Sequence, residues 1–227
     1  MDRRGFVTGL AGASLLGLGG CAGHRSAAIQ PSRAAASLPP KISPPNHVLA
    51  MYAAAPQERF PLPAVEIHQV AERYWRKRVS FVTRHRPGSI IVDTGNFHLY
   101  FVEPGGTAMR YGVSLGQAGF SWSGTGVIQW KRPWPTWTPP AEMITRLPDL
   151  AEWSAENGGM PPGPENPLGA RALYIFQNGR DTLYRVHGTP DISSIGSAAS
   201  SGCVRMLNQD VIDLFNRVRP GARIVVA

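Results

Sequence analysis

At 227 residues with 43% hydrophobic content, the chain is long enough to bury one substantial core. Its formal net charge of +8 raises nucleic acid as a partner, yet Arg76-Lys77-Arg78 is the one dense basic run and no nucleic-acid motif accompanies it, so none is expected. Two cysteines and six scattered histidines fit no zinc spacing, so no metal is expected.

The chain opens with a short basic head, Met1-Asp2-Arg3-Arg4, followed by a small and apolar stretch from Phe6 to Gly20 that is too short to span a bilayer. It ends in Leu18-Gly19-Gly20-Cys21, the order expected of a secretory signal peptide over residues 1–20. Small residues directly before Cys21 resemble a bacterial lipobox, in which the cysteine is lipidated, and Asp2-Arg3-Arg4-Gly5-Phe6-Val7 loosely resembles a twin-arginine export signal. The protein is therefore expected in the periplasm, held to a membrane of the bacterial envelope through Cys21. Loss of residues 1–20 removes two arginines and one aspartate, so the formal charge falls by one. A basic exported protein meets acidic cell wall and anionic lipid first.

Residues 21–60 are rich in Ala, Ser and Pro without a sustained period, as befits a tether. Residues 61–87 form a lead-in, where Val65, Ile67, Val70 and Tyr74 predict a short helix after Pro61 and Pro63. From Gly88 the pattern turns to strands. Ser89-Ile90-Ile91-Val92 is β-branched, and Phe97, Leu99 and Phe101 alternate with His98, Tyr100 and Val102. Glu103-Pro104-Gly105-Gly106 turns the chain back toward Met109 to Val113, and Val127 to Trp130 gives a further strand. Ala172 to Phe176 and Thr182 to Val186 flank Gln177-Asn178-Gly179-Arg180, a strong hairpin signal.

A long Trp- and Pro-rich connection separates these strands. Long irregular connections serve as lids or binding loops, so Trp134 and Trp137 either contact substrate or fill gaps in the core. After Cys203 a helix is expected, with Asn208 as its cap and Asp210 near its positive end. Val211, Leu214, Phe215 and Val218 make its apolar face, and Pro220-Gly221 stop it. Ile224-Val225-Val226 closes a mainly β domain over residues 88–227.

With Cys21 reserved for lipid, Cys203 is left as a candidate reactive thiol. Gly202 before it lets backbone approach a ligand, while the following helix and Arg205 are expected to lower its pKa and to receive an oxyanion. His187, at the end of a strand, is the candidate base. Ser193, Ser194, Ser197, Ser200 and Ser201 lie nearby, but none occupies a G-x-S-x-G elbow. A lone cysteine is otherwise a small buried hydrophobe, and a lone histidine a structural residue. On the residues alone, the reading stops at a cysteine acyl-transfer enzyme.

The ordered set His187-Gly188-Thr189, Ile195-Gly196 and Ser200-Ser201-Gly202-Cys203-Val204-Arg205-Met206 resembles the L,D-transpeptidase catalytic domain of the YkuD/ErfK type. Tyr111-Gly112-Val113-Ser114 with Gly116, Asn166-Pro167-Leu168-Gly169 and Tyr184-Arg185-Val186-His187 extend the match over residues 88–227. The resemblance implies a compact β-sandwich with a short helix after the cysteine and a C-terminal strand. It implies Cys203 as nucleophile and His187 as proton acceptor and donor. Gly188 would orient the imidazole, Ser201, Gly202 and Cys203 would form the oxyanion region, and Arg205 would face a substrate carboxylate or support the loop. Tyr184, Trp134 and Trp137 are expected to contact substrate. Ser201 stands where many members carry His, which leaves His187 as the sole base. The implied reaction cross-links peptidoglycan, acting in cell-wall organisation and cell shape. A thioester formed on a tetrapeptide stem releases D-alanine, and an amine then makes a diaminopimelate-to-diaminopimelate bond. Water as acceptor would make an L,D-carboxypeptidase, a wall-linked or outer-membrane protein as acceptor would make an anchoring enzyme, and a wall-binding module without catalysis is the remaining reading.

Overall fold

The computed structural model describes residues 43–116, 122–199 and 202–227, so Cys21, Ser200 and Ser201 lie outside the described residues. The described residues fall within one compact unit, Lys41–Ala227. Among the described residues nine strands join in a single sheet: β1 (Lys77–Ser80), β2 (Ile90–Asp93), β3 (His98–Glu103), β4 (Thr107–Gly112), β5 (Gly124–Pro133), β6 (Arg171–Gln177), β7 (Arg180–Thr189), β8 (Val204–Leu207) and β9 (Ala222–Val226). Their spatial order is β1-β4-β3-β2-β9-β5-β6-β7-β8. Neighbours run antiparallel except β2 with β9 and β7 with β8, which are parallel.

The alternation in the sequence explains which face each strand buries. Ile90, Val92 and Leu99 from one half of the sheet meet Leu173, Ile175, Val186 and Met206 from the other in one buried cluster. Both halves thus cover a common core, the two-layer arrangement a β-sandwich requires. Just beyond β4, Ser114 and Arg205 exchange backbone hydrogen bonds of 2.9 and 2.8 Å, which ties the far end of the sheet back toward its beginning. The Asn178-Gly179 hairpin forms as expected: both residues have positive φ (51° and 75°), as a tight type I′ turn demands.

Among the described residues the α-helices are α1 (Asn46–Met51), α2 (Ala141–Arg146) and α3 (Asn208–Arg217). Three expectations need correction. The helix foreseen within residues 61–87 is two single 3-10 turns, Ile67–Gln69 and Glu72–Tyr74, followed by β1. Its apolar residues mark docking points, with Ile67, Val70 and Tyr74 buried against Ile195 and Leu207. The tether was expected to reach residue 60, yet α1 forms within that span, and Val48 and the following Tyr52 are buried. The Asn208 side chain does not cap α3; its Oδ1 accepts a hydrogen bond from the Ala170 amide at 2.9 Å, and Leu207 takes the cap position.

Residues 46–76 are fastened to the sheet and to α3 by two buried charge clusters. Glu58 accepts from both Arg171 nitrogens at 2.7 and 2.8 Å and from Trp134 Nε1 at 2.9 Å. Arg76 lies 3.6 Å from the fully buried Asp210 and 3.4 Å from Asp213, while Tyr52 donates to Asp210 at 3.2 Å. Such clusters fix a geometry more surely than they add net stability. No helix among the described residues is long and apolar enough to cross a membrane.

Candidate active site

β7 delivers His187 and β8 begins immediately after Cys203. Because β7 and β8 are parallel, with Val186 opposite Val204 and His187 opposite Arg205, Cys203 stands opposite Arg185. Val186 and Val204 face the core, so Arg185, His187, Cys203 and Arg205 share the other face. The sixteen-residue gap in sequence between His187 and Cys203 is thereby closed into a diagonal step between adjacent strands.

The imidazole is 4% exposed, and its Nδ1 lies 2.7 Å from the Gly188 carbonyl oxygen. A carbonyl only accepts, so Nδ1 carries the proton and Nε2 keeps a lone pair for proton abstraction. Gly188 must be glycine for a packing reason: a Cβ there would fall 2.2 Å from Asn208 Oδ1. The Gly188 carbonyl, the Ala170 amide and Asn208 thus form one rigid support behind the base.

Burial drives His187 down to about 4, the Gly188 carbonyl opposes this, and the charges of Arg205 and Arg185 add to it. The base is therefore neutral at physiological pH. Burial also pushes the half-buried Cys203 thiol up; a hydrogen bond from the Arg185 backbone and the charges of Arg185 and Arg205 pull the other way without overcoming it. The sequence reading expected a lowered thiol pKa from a helix N-terminus directly after Cys203. Instead β8 separates Cys203 from α3, so no helix N-terminus directly follows the sulfur. The resting pair is a thiol beside a neutral imidazole, suited to general-base activation rather than to a preformed ion pair.

A strand-like extension of β4 lines the other side of the catalytic loop. Gly196 N donates to Val113 O at 2.9 Å, and Leu115 N to Ser197 O at 3.1 Å. A Cβ on Gly116 would lie 2.6 Å from Gly202 Cα, and Gly202 has φ 130°, a conformation that L side chains rarely adopt. Two glycines thus press backbone against backbone beside the sulfur. Arg205 Nη1 reaches back to Ala199 O at 3.5 Å.

Other expected contacts fall elsewhere. Trp134 is buried against Phe60 and Ala170 with its indole N–H on Glu58, so most of the indole fills a gap in the core. Trp137 is half-buried and exchanges backbone hydrogen bonds with Met160. Tyr184 packs against the main core, on the face opposite Arg185 and Cys203. The sequence reading gave no role to Asn166, yet its buried side chain lies within 3.0–3.2 Å of the Pro135, Met160 and Pro161 carbonyls while accepting from Leu168 N at 2.9 Å. It took Asn208 for a helix cap and gave Arg185 no role of its own; for Arg185 the available signal was its place two residues before the base. Among the described residues no group of three or more His, Cys, Asp or Glu side chains could hold a metal ion.

With this geometry in place, the comparisons with known proteins are specific. The family model described as the L,D-transpeptidase catalytic domain, YkuD, matches residues 87–226. The chain belongs to the L,D-transpeptidase catalytic domain family. It is 36% identical over 144 residues to a probable L,D-transpeptidase YbiS of Escherichia coli K12, covering 60% of this chain and 43% of that protein. It is 34% identical over 142 residues to the probable L,D-transpeptidase ErfK/SrfK of the same strain, with the same coverage. The chain thus spans less than half the length of these curated relatives. A solved chain from Brucella melitensis, described as a probable carnitine operon oxidoreductase, is 42% identical and covers 71% of this chain and 99% of its own, with a TM-score of 0.48.

Proposed function

We propose that this protein is a peptidoglycan L,D-transpeptidase that acts through a thioester on Cys203. The observation that carries this reading is the commitment of His187 Nδ1 to the Gly188 carbonyl on the strand beside Cys203, in a chain of the L,D-transpeptidase family. His187 Nε2 takes the thiol proton as sulfur attacks the carbonyl carbon of diaminopimelate in a tetrapeptide stem. The oxyanion that develops is received by backbone N–H groups near Gly202 and Cys203. The C–N bond then breaks, and His187 returns the proton to the departing D-alanine amine. An acceptor amine attacks the thioester, gives its proton to His187, and leaves the cross-linked product and the restored thiol. No cofactor takes part.

We further propose export through the signal at residues 1–20, lipidation at Cys21, and residence in the bacterial envelope with residues 88–227 as the catalytic domain. Incubation of the protein with defined tetrapeptide muropeptides, read by mass spectrometry, tests the activity. A cross-linked dimer with released D-alanine is expected. Tripeptide alone would mean a carboxypeptidase, linkage to an added protein amine an anchoring enzyme, and unchanged substrate a binding module. Cys21→Ser is expected to move the protein from the membrane to the soluble fraction; unchanged fractionation would remove the lipid anchor from this account.

A further inference from the structure

Four side chains stand in one row across the outer face of the sheet. Trp130 of β5 is opposite Tyr174 of β6, Tyr174 is opposite Arg185 of β7, and Arg185 faces Cys203. The row is a ladder of stacked groups: Arg132 lies 4.7 Å from the Trp130 ring centre, the Trp130 and Tyr174 rings are 4.7 Å apart, and Arg185 lies 4.4 Å from Tyr174. At its far end opens a cavity of 390 Å³ whose walls include Arg59, Arg132, Trp134, Thr136 and Tyr174.

The charges along this face are not equivalent. Arg185 is held bidentately by Asp181 at 2.7 and 2.8 Å, and Arg171 by Glu58. Arg59 and Arg132, by contrast, form no ion pair among the described residues and are exposed. Each is stacked on an aromatic ring, Arg59 on Phe60 at 5.2 Å and Arg132 on Trp130. Stacking limits the freedom of a guanidinium while leaving its N–H donors open, an arrangement that suits the planar, two-point acceptor of a carboxylate.

The spacing relates the cavity to the nucleophile. Adjacent strands lie about 4.8 Å apart, so Tyr174 is two strand steps, about 10 Å, from Cys203, and β5 about 14 Å. An extended peptide advances about 3.3–3.6 Å per residue, so a carboxylate two to three residues from the scissile bond comes within reach of the long Arg59 and Arg132 side chains at the cavity.

We infer that the cavity between Arg59 and Arg132 is an anion subsite that holds a carboxylate of the acidic peptide stem, remote from the bond cleaved at Cys203. The identity of the ligand rests on the transpeptidase reading. The test uses the full chain with Cys203→Ala, so that binding is measured without turnover. Calorimetry with a tetrapeptide stem bearing free carboxylates is compared with Arg59→Gln/Arg132→Gln in the same background, and with a stem amidated at its carboxylates. The double variant is expected to bind the acidic stem about tenfold to a hundredfold more weakly, to bind the amidated stem as the parent does, and to recover affinity as the Lys/Lys variant. Equal affinity of parent and double variant for the acidic stem, or no binding of it to the parent, overturns the subsite. The transpeptidase reading is examined separately by labelling of native Cys203 with a carbapenem. Labelling of both the wild-type chain and the double variant is expected, and its absence from the wild type counts against the enzyme and not against the binding comparison.

Discussion

The Tyr74 ring lies so close against Gly196 that a Cβ added to the glycine would fall 2.1 Å from Tyr74 Cε2. A residue upstream of the family match thus presses directly on the loop between His187 and Cys203. Tyr74→Ala is expected to cost about 3–5 kcal/mol by opening a cavity and to slow acylation of Cys203. Tyr74→Phe should be nearly silent, because the hydroxyl is 3.5 Å from the Gly196 carbonyl, at the limit of a hydrogen bond. Denaturant unfolding and the acylation rate by a carbapenem check both variants. A stable, fully active alanine variant would show that the contact is incidental.

His187 with a pKa near 4 remains a competent base well below the range of an ordinary imidazole. The rate of Cys203 acylation as a function of pH should therefore keep its acid limb near 4, and the thiol, raised by burial, should stay protonated until alkaline pH. The pH dependence of kcat/KM reports the free enzyme. An acid limb close to 6.5 would mean that the imidazole is better solvated than its burial implies.

Gly188 has no space for a side chain, since a Cβ would meet Asn208 Oδ1 at 2.2 Å and Ala170 N at 3.1 Å. Gly188→Ala must displace Asn208, weakening its hydrogen bond to Ala170 and shifting the carbonyl that holds His187. A loss of about 1–3 kcal/mol is expected, with a larger fall in acylation rate than Tyr74→Phe produces. Thermal unfolding and labelling kinetics on one preparation decide it; unchanged labelling would separate the imidazole from this support.

Asp210 titrates in the opposite sense to an ordinary paired carboxylate. Burial raises it to about 7 from 3.8; Arg76 and Tyr52 oppose the rise and Asp213 adds to it. Below about pH 4 both folded and unfolded chains hold the proton, so the Asp210 contribution is fully present there. As pH climbs toward 7 the unfolded chain releases the proton first, and stability falls. Asp213 moves the other way, because Arg217, Tyr111 and Arg76 outweigh its burial and hold it low. Asp210→Asn should remove only the first effect, flattening the pH dependence between about 4 and 7 by an amount on the order of a few kcal/mol. Urea titrations at several pH values measure this, and parallel curves for the two proteins would contradict the assignment.

The strands were legible because alternation in residues 89–102 and the Asn178-Gly179 pair are local signals. Cys203 and His187 were legible because the motif that carries them is long and ordered. The four-residue β8 was not, since Val204 to Leu207 runs straight into α3 and its partner β7 is fixed only by parallel pairing across the intervening loop. Nor could the spacing of Val65, Ile67, Val70 and Tyr74 separate a helix from a strap, because apolar residues that dock one by one on a neighbouring surface can mimic helical periodicity. The ladder from Trp130 through Tyr174 to Arg185 depends on the register of three strands, and no stretch of sequence contains it.

The family match begins at residue 87, yet the strap over residues 46–76 supplies Val48, Tyr52, Ile67, Val70, Tyr74 and Trp75 to a core shared with Ile195 and Leu207. A fragment trimmed to the recognised boundary would leave that greasy floor bare and Asp210 stripped of Arg76. The smallest piece worth expressing therefore starts some forty residues earlier than the motif suggests.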